Sequence, residues 1–365
     1  MSLHADDLSR LLDPPLQTPE LPGVGGQIRQ RPEDFRVAEI PAYPPDGRPG
    51  HLFLVLRKRG LTTEDALAEL ARQLDVPRHE IGLAGLKDKD AVTEQWISLP
   101  AAAAAALAAF AHEDMSLGTP SPHGTKLRRG HLRGNHFTII ARDLALPPAD
   151  ALARARAKFD RLLALGGLDN LYGVQRLGER GDNLVRGLQA LARGKRRGRA
   201  DFLLSAGQSV LFNLYLLERR ARGIMRTALR GDILKKTDTG GLFTCTDPDV
   251  DNVRLAAGEL VVTGPMYGSK MRAPGPDTPS GALEAEILAR AEIDPSTLQA
   301  LGHTLEGTRR PLQVPLADLT LALADPTGAL TPGISLSFTL PSGSYATSLL
   351  REVQLPAVGA PAPTI

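Results

Sequence analysis

Residues 82–95, GLAGLKDKDAVTEQ, set one carboxylate, Asp88, between Lys87 and Lys89, with Gly82 and Gly85 ahead of it. Flanking ammonium groups favour the ionised carboxylate, and glycines let a ligand's backbone come close. Such an anion can attack carbon as a nucleophile or draw a proton. A solvated, charged turn has the same composition, so these residues alone leave both roles open. Other chemistries are easier to exclude. The single cysteine, Cys245 in GLFTCTDPD, permits no internal disulfide and no Cys-rich zinc site. It also lacks the usual setting of a uracil-C5 or cytosine-C5 methyltransferase nucleophile. The His-x-Glu and Pro-Cys-x-x-Cys pattern of zinc deaminases is absent, and PGVGGQ (22–27) is too short for a dinucleotide fingerprint.

The formal charge is only +2, yet it is unevenly spread. Residues 176–236 carry fifteen lysines and arginines against five acidic residues, a local excess of ten. An excess of that size favours a polyanionic partner. Two shorter runs stand out: KLRRGHLR (126–133), which contains Arg129 and Arg133, and RGKRRGR (193–199), which contains Arg196, Arg197 and Arg199. The second is glycine-spaced and suits phosphates better than base edges. Any single arginine in these runs also fits a merely solvated surface.

The elements that must position these groups are legible in outline. Residues 51–57, HLFLVLR, read as a buried strand. A helix follows, with Thr62 or Thr63 as its cap and Leu67, Leu70, Ala71 and Leu74 on one face. The charged loop 82–91 comes next, then a strand over 93–99. Pro100 opens an Ala-rich helix. A strand is expected at 136–141, helices at 150–165 and about 205–222, and a loop at 273–282. Over 334–340 Ile334, Leu336, Phe338 and Leu340 alternate with polar residues, as in a half-buried strand. The first 25 or so residues read as a loose lead-in and the tail 354–365 as disordered. Strands and helices mix without a βαβ rhythm, so the class is α+β. No long apolar run and no signal-peptide pattern is present, which predicts a soluble, cytoplasmic protein without a membrane partner.

The loop GLAGLKDKDAVTEQ resembles the catalytic motif of the TruD family of pseudouridine synthases, and four further segments match that family in order. They are RPEDFRVAE (31–39), RGHLRGNHF (129–137), NLYGVQRLG (170–178) and FTLPSGSYATSLLRE (338–352). The chain departs from the pattern in placing Arg29 where a Lys is usual, Leu171 and Leu177 where aromatics are usual, and Asp90 where Arg or Lys is common. The resemblance implies isomerisation of uridine to pseudouridine in tRNA, at position 13 of the D arm, with Asp88 as nucleophile on a flipped-out uridine. It implies no cofactor, no metal, tRNA as partner and no obligate protein partner.

By the same resemblance Phe35, Asn135, Phe137, Phe338 and Arg29 bind substrate; Lys87, Arg129, Arg133, Arg176, Arg196, Arg197 and Arg199 are expected to contact RNA. Each has a plainer reading. Phe35 could plug a small core and Gly134-Asn135 could be a turn. Phe137 shares strand parity with Ile139, as Phe338 does with Leu336 and Leu340, which also suits core packing. Glu39 is read as a structural partner for a nearby Arg or Lys. The implied architecture is a pseudouridine-synthase catalytic domain with a central mixed or antiparallel sheet, from residues 1–160 and 306–353. An α/β TRUD insertion domain, 161–305, interrupts it. Two rivals of other classes are a non-catalytic RNA-binding protein on the same scaffold and a general polyanion-binding module.

Overall fold

The computed structural model describes residues 3, 5–178, 181–194, 200–326 and 330–354. These form two compact units. One is drawn from Glu20–Arg161, Pro315–Ala346 and Leu350–Ile365, the other from Met1–Pro19, Leu162–Val314 and Thr347–Leu349. Strands and helices are mixed in the α+β manner expected. Among the described residues no helix is long and apolar enough to cross a membrane.

The first unit is built on a ten-stranded sheet. Its main path runs Ala317–Ala324, Gly333–Pro341, Leu132–Leu144, Phe35–Pro41, Val92–Pro100, His51–Arg59 and Met115–Leu117. Three short strands, Gly25–Gln27, Gly82–Leu83 and Ser121–His123, pair along its sides. Neighbours are antiparallel except Phe35–Pro41 against Val92–Pro100, which makes the sheet mixed. The alternation in 334–340 is realised: Ile334, Leu336, Phe338 and Leu340 are buried while the residues between them are half-buried. Register sets Phe137 opposite both Val37 and Phe338, Asn135 opposite Glu39, and Lys58 opposite Thr93. Because strand side chains alternate faces, these residues and Phe35 share one face. The helix Thr63–Leu74 covers part of that face, packing Ala66, Leu67, Leu70 and Leu74 on Leu54, Leu56, Ile97 and Leu99. Thr62 caps it by accepting from the Asp65 amide, which leaves the Thr63 hydroxyl for other use.

The second unit packs the 22-residue helix Ala200–Ala221 against a four-stranded antiparallel sheet, Leu242–Thr244, Ile233–Lys236, Leu260–Met266 and Thr308–Pro311. Helix Asp182–Arg193 meets it at Gly187 and Gly207, where an added Cβ would come within 2.6 Å of the other helix's backbone. Two ion pairs lie inside, Arg219 with Asp232 at 2.8 Å and Arg309 with Glu284 at 2.7 Å.

Three expectations are corrected. The lead-in is not loose: Ala5–Leu12 is helical and Leu3 and Leu11 are buried. Residues 5–19 belong to the second unit, not to the sheet unit where the reading of 1–160 placed them. The Ala-rich stretch after Pro100 forms two short 3-10 turns, Ala101–Ala105 and Leu107–Ala109, with only Ala103 buried. So short a segment cannot offset helix nucleation without an apolar face to bury. The tail from 355 lies outside the described residues.

The turn Pro32–Asp34 is held by a buried ion pair. Asp34, with no exposed surface, accepts two bonds of 3.0 Å from Arg142, whose remaining nitrogen donates to the Thr331 carbonyl at 2.7 Å. Replacing Asp34 by Ala strands the Arg142 charge and should cost about 3–5 kcal/mol of stability. Urea titration measures this, and a loss within experimental error would mean the pair is not what holds the turn.

Candidate active site

The loop after strand Gly82–Leu83 is braced from below by buried groups. Gly82 runs so close to its neighbours that an added Cβ would meet the Leu127 carbonyl at 2.5 Å. The Thr63 hydroxyl accepts from the Lys87 amide at 2.9 Å and donates to Gln95 Oε1 at 3.0 Å. Gln95 in turn donates to the Gly85 carbonyl. The Lys87 ammonium, 5% exposed, meets the fully buried Glu39 carboxylate at 2.5 Å. Glu39 also accepts from the Trp96 amide at 3.2 Å. Burial pushes the Glu39 carboxyl above its ordinary value, against the pull of Lys87. Lys58, 1% exposed, donates to the carbonyls of Asp88 at 2.8 Å and Leu61 at 2.6 Å. Burial lowers its pKa to about 8.

Above this brace the Asp88 side chain is half exposed and accepts from Arg29 Nη2 at 2.9 Å. Arg29 has a positive φ of 61°, a conformation few non-glycine residues adopt. Its guanidinium lies 4.0 Å from the centre of the Phe35 ring. Phe35 presents an edge to Phe137, centroids 6.4 Å apart, and Phe137 stacks on Phe338 at 5.4 Å. Three enclosed polar atoms around this face have no hydrogen-bond partner among the described residues: Arg29 Nε, Thr93 Oγ1 and Asn135 Oδ1. Buried polar atoms are rarely left unmatched. The arrangement sets the Asp88 carboxylate beside a guanidinium, with three aromatic rings and an unmatched acceptor nearby.

The residues singled out in the sequence fare differently. Phe35, Asn135, Phe137 and Phe338 lie on one face of the sheet, Asp88 in the loop braced on it, and Arg29 reaches both Asp88 and Phe35 from the segment before Pro32–Asp34. Arg29, expected on the substrate, is bonded to Asp88. Phe35 and Phe338 are 2% and 0% exposed, so their rings are closed over, while Phe137 keeps 8%. Lys87 is corrected: its ammonium is buried on Glu39, the partner expected for that glutamate, and does not face outward for RNA. Arg176 is half-buried, bonded to Ser205 and Ser209 and set over the Phe202 ring. Arg129 and Arg133 are exposed, Arg133 donating to the Ala42 carbonyl. Arg196, Arg197 and Arg199 lie outside the described residues. Lys58 and Gln95 were not singled out, and Thr63 was expected only as a possible helix cap. The available signal was Lys58 itself, a charge at the buried parity set by Leu54 and Leu56.

A family model described as tRNA pseudouridine synthase D (TruD) matches residues 15–203 and 188–353. A tRNA pseudouridine synthase D of Anaeromyxobacter sp. (strain Fw109-5) is 46% identical over 353 residues, covering 94% of this chain and 96% of the relative. One of Thermus thermophilus is 43% identical over 343 residues, covering 93% and 91%. The fold is shared with a crystal structure of a putative tRNA pseudouridine synthase D from Methanosarcina mazei. Its TM-score is 0.77 at 23% identity, over 97% of this chain and 98% of that one.

Phe137 joins its two neighbouring rings into one cluster and is nearly enclosed. Truncation to Ala should cost about 3–5 kcal/mol, as for other buried Phe residues. An unchanged urea midpoint would show that the ring contributes little to packing, whatever it contacts on the ligand side.

Proposed function

The chain belongs to the tRNA pseudouridine synthase D (TruD) family, and on that footing we propose that it isomerises uridine 13 in the D arm of tRNA, with Asp88 as nucleophile. The observation that carries this reading is the half-exposed Asp88 carboxylate, paired with Arg29 and held by a buried brace beside a ring-lined face. The reaction breaks the N1–C1′ glycosidic bond, turns the uracil, and joins C5 to C1′. C5 gives up a proton and N1 gains one, so no electron, group donor or cofactor is called for.

The target base must leave its stack before Asp88 can reach it. Asn135 Oδ1, enclosed and unmatched, is the acceptor for the uracil N3–H. Phe137, the least covered of the three rings, lies against the base, with Phe35 and Phe338 behind it. Arg29 orients Asp88 while the carboxylate engages the nucleoside, by adding to C1′ or C6 or by taking a ribose proton. The exposed Arg129 and Arg133 meet phosphates, as do Arg196, Arg197 and Arg199; Arg176 would do so only by leaving its serines. The enzyme works on tRNA in the cytoplasm.

Asp88→Asn keeps the shape and removes the negative charge. It should abolish pseudouridine formation while leaving folding and tRNA affinity nearly intact, and Asp90→Asn should be far milder. Substantial turnover by Asp88→Asn would sink the nucleophile assignment. Affinity should also fall with salt as phosphate contacts release counterions. Changing Arg196, Arg197 and Arg199 together to Ala should flatten that dependence by about one unit of slope per lost contact. An unchanged slope would remove this run from the RNA interface.

A further inference from the structure

Lys58 is a buried cation for which the reaction just set out has no use. Its ammonium is bonded to two neutral carbonyls, those of Asp88 and Leu61, and no carboxylate is bonded to it among the described residues. Burying an ammonium without a bonded counter-charge is costly, and an alkyl side chain at this position would avoid that cost. The groups around it are few. The helix Thr63–Leu74 turns only Thr63, Ala66, Leu67, Leu70 and Leu74 inward, none of them charged. Arg57, Arg59 and Glu94 sit on the opposite face by strand alternation. In the loop, Asp88 attracts the ammonium and Lys87 repels it, while burial opposes its charge more than either. Lys87 is itself neutralised by Glu39, and Asp88 is shared with Arg29.

The Asp88 side chain is half exposed and, among the described residues, bonded to Arg29 alone, so its position depends largely on its backbone. The Asp88 carbonyl is one bond from its Cα, and Lys58 grips that carbonyl. We propose that Lys58 is a positioning residue for the nucleophile: its charged amino group clamps the Asp88 carbonyl and so sets where the carboxylate stands against the target nucleoside. The inference rests on the function proposed above. A charged donor makes a stronger bond than a neutral one, so the clamp weakens when the proton is lost.

The test uses Lys58→Met, of similar length and uncharged, and Lys58→Gln, which keeps an amide donor without the charge. Single-turnover pseudouridine formation at saturating tRNA is followed between pH 7 and pH 9.5, with tRNA Kd measured alongside. At pH 7 both variants should be slower by about tenfold or more, since small misplacements of reacting groups cost factors of this order, with Kd unchanged. The wild-type rate should decline as pH rises past about 8, where Lys58 loses its proton, and the variants should lack that decline. Lys58→Gln carries the same reading if the Met variant fails to fold. Wild-type rates in the variants, a loss confined to Kd, or an alkaline decline that persists in both would each overturn the inference. Wild-type protein that makes no pseudouridine would overturn the proposed function itself, which separates the two failures.

Discussion

A carboxylate with no exposed surface must be neutralised where it lies, and at Glu39 that requirement fixes the loop that carries Asp88. Its partner, Lys87, comes from 48 positions further along the chain and meets it at 2.5 Å. Removing either member would leave a buried charge unpaired, which is among the more destabilising changes a core can suffer. The pair therefore welds residue 87 to the sheet, and residue 88 has little freedom left. Glu39 faces inward only because its strand is in the register that also buries Phe35 and Val37. A slip of one residue would turn all three outward and carry the loop's anchor with them.

The same constraint divides the cations around Asp88 by task. Lys87 and Lys58 point into the protein and hold backbone or Glu39. Among the described residues Arg29 alone is bonded to the carboxylate, and Lys89 remains exposed. Positive charge near Asp88 is thus largely committed to placing it. The exposed Arg128, Arg129 and Arg133 come from a separate run leading into strand Leu132–Leu144. Steering a polyanion and orienting a carboxylate place opposite demands on a cation, exposure for one and enclosure for the other.

What the sequence revealed follows from how local each signal is. Alternation over 334–340 and the apolar face of Thr63–Leu74 are period effects, and both elements formed where expected. Asp88 was legible through its flanking motif. Lys58 and the direction of Lys87 were not, because a buried pairing between distant residues leaves no periodic trace. Only the parity of Lys58 with Leu54 and Leu56 hinted that a charge was being taken inside. The helical lead-in was hidden for a similar reason. Its buried apolar residues, Leu3 and Leu11, are few and gain meaning only beside a core that the chain builds far later.

The central claim is that this chain places Asp88 against a uridine of the tRNA D arm. Pseudouridine mapping in tRNA from cells with and without the protein tests it most directly. The account predicts pseudouridine at position 13 in the first sample and unmodified uridine at that position in the second. Identical modification of position 13 in both samples would contradict it.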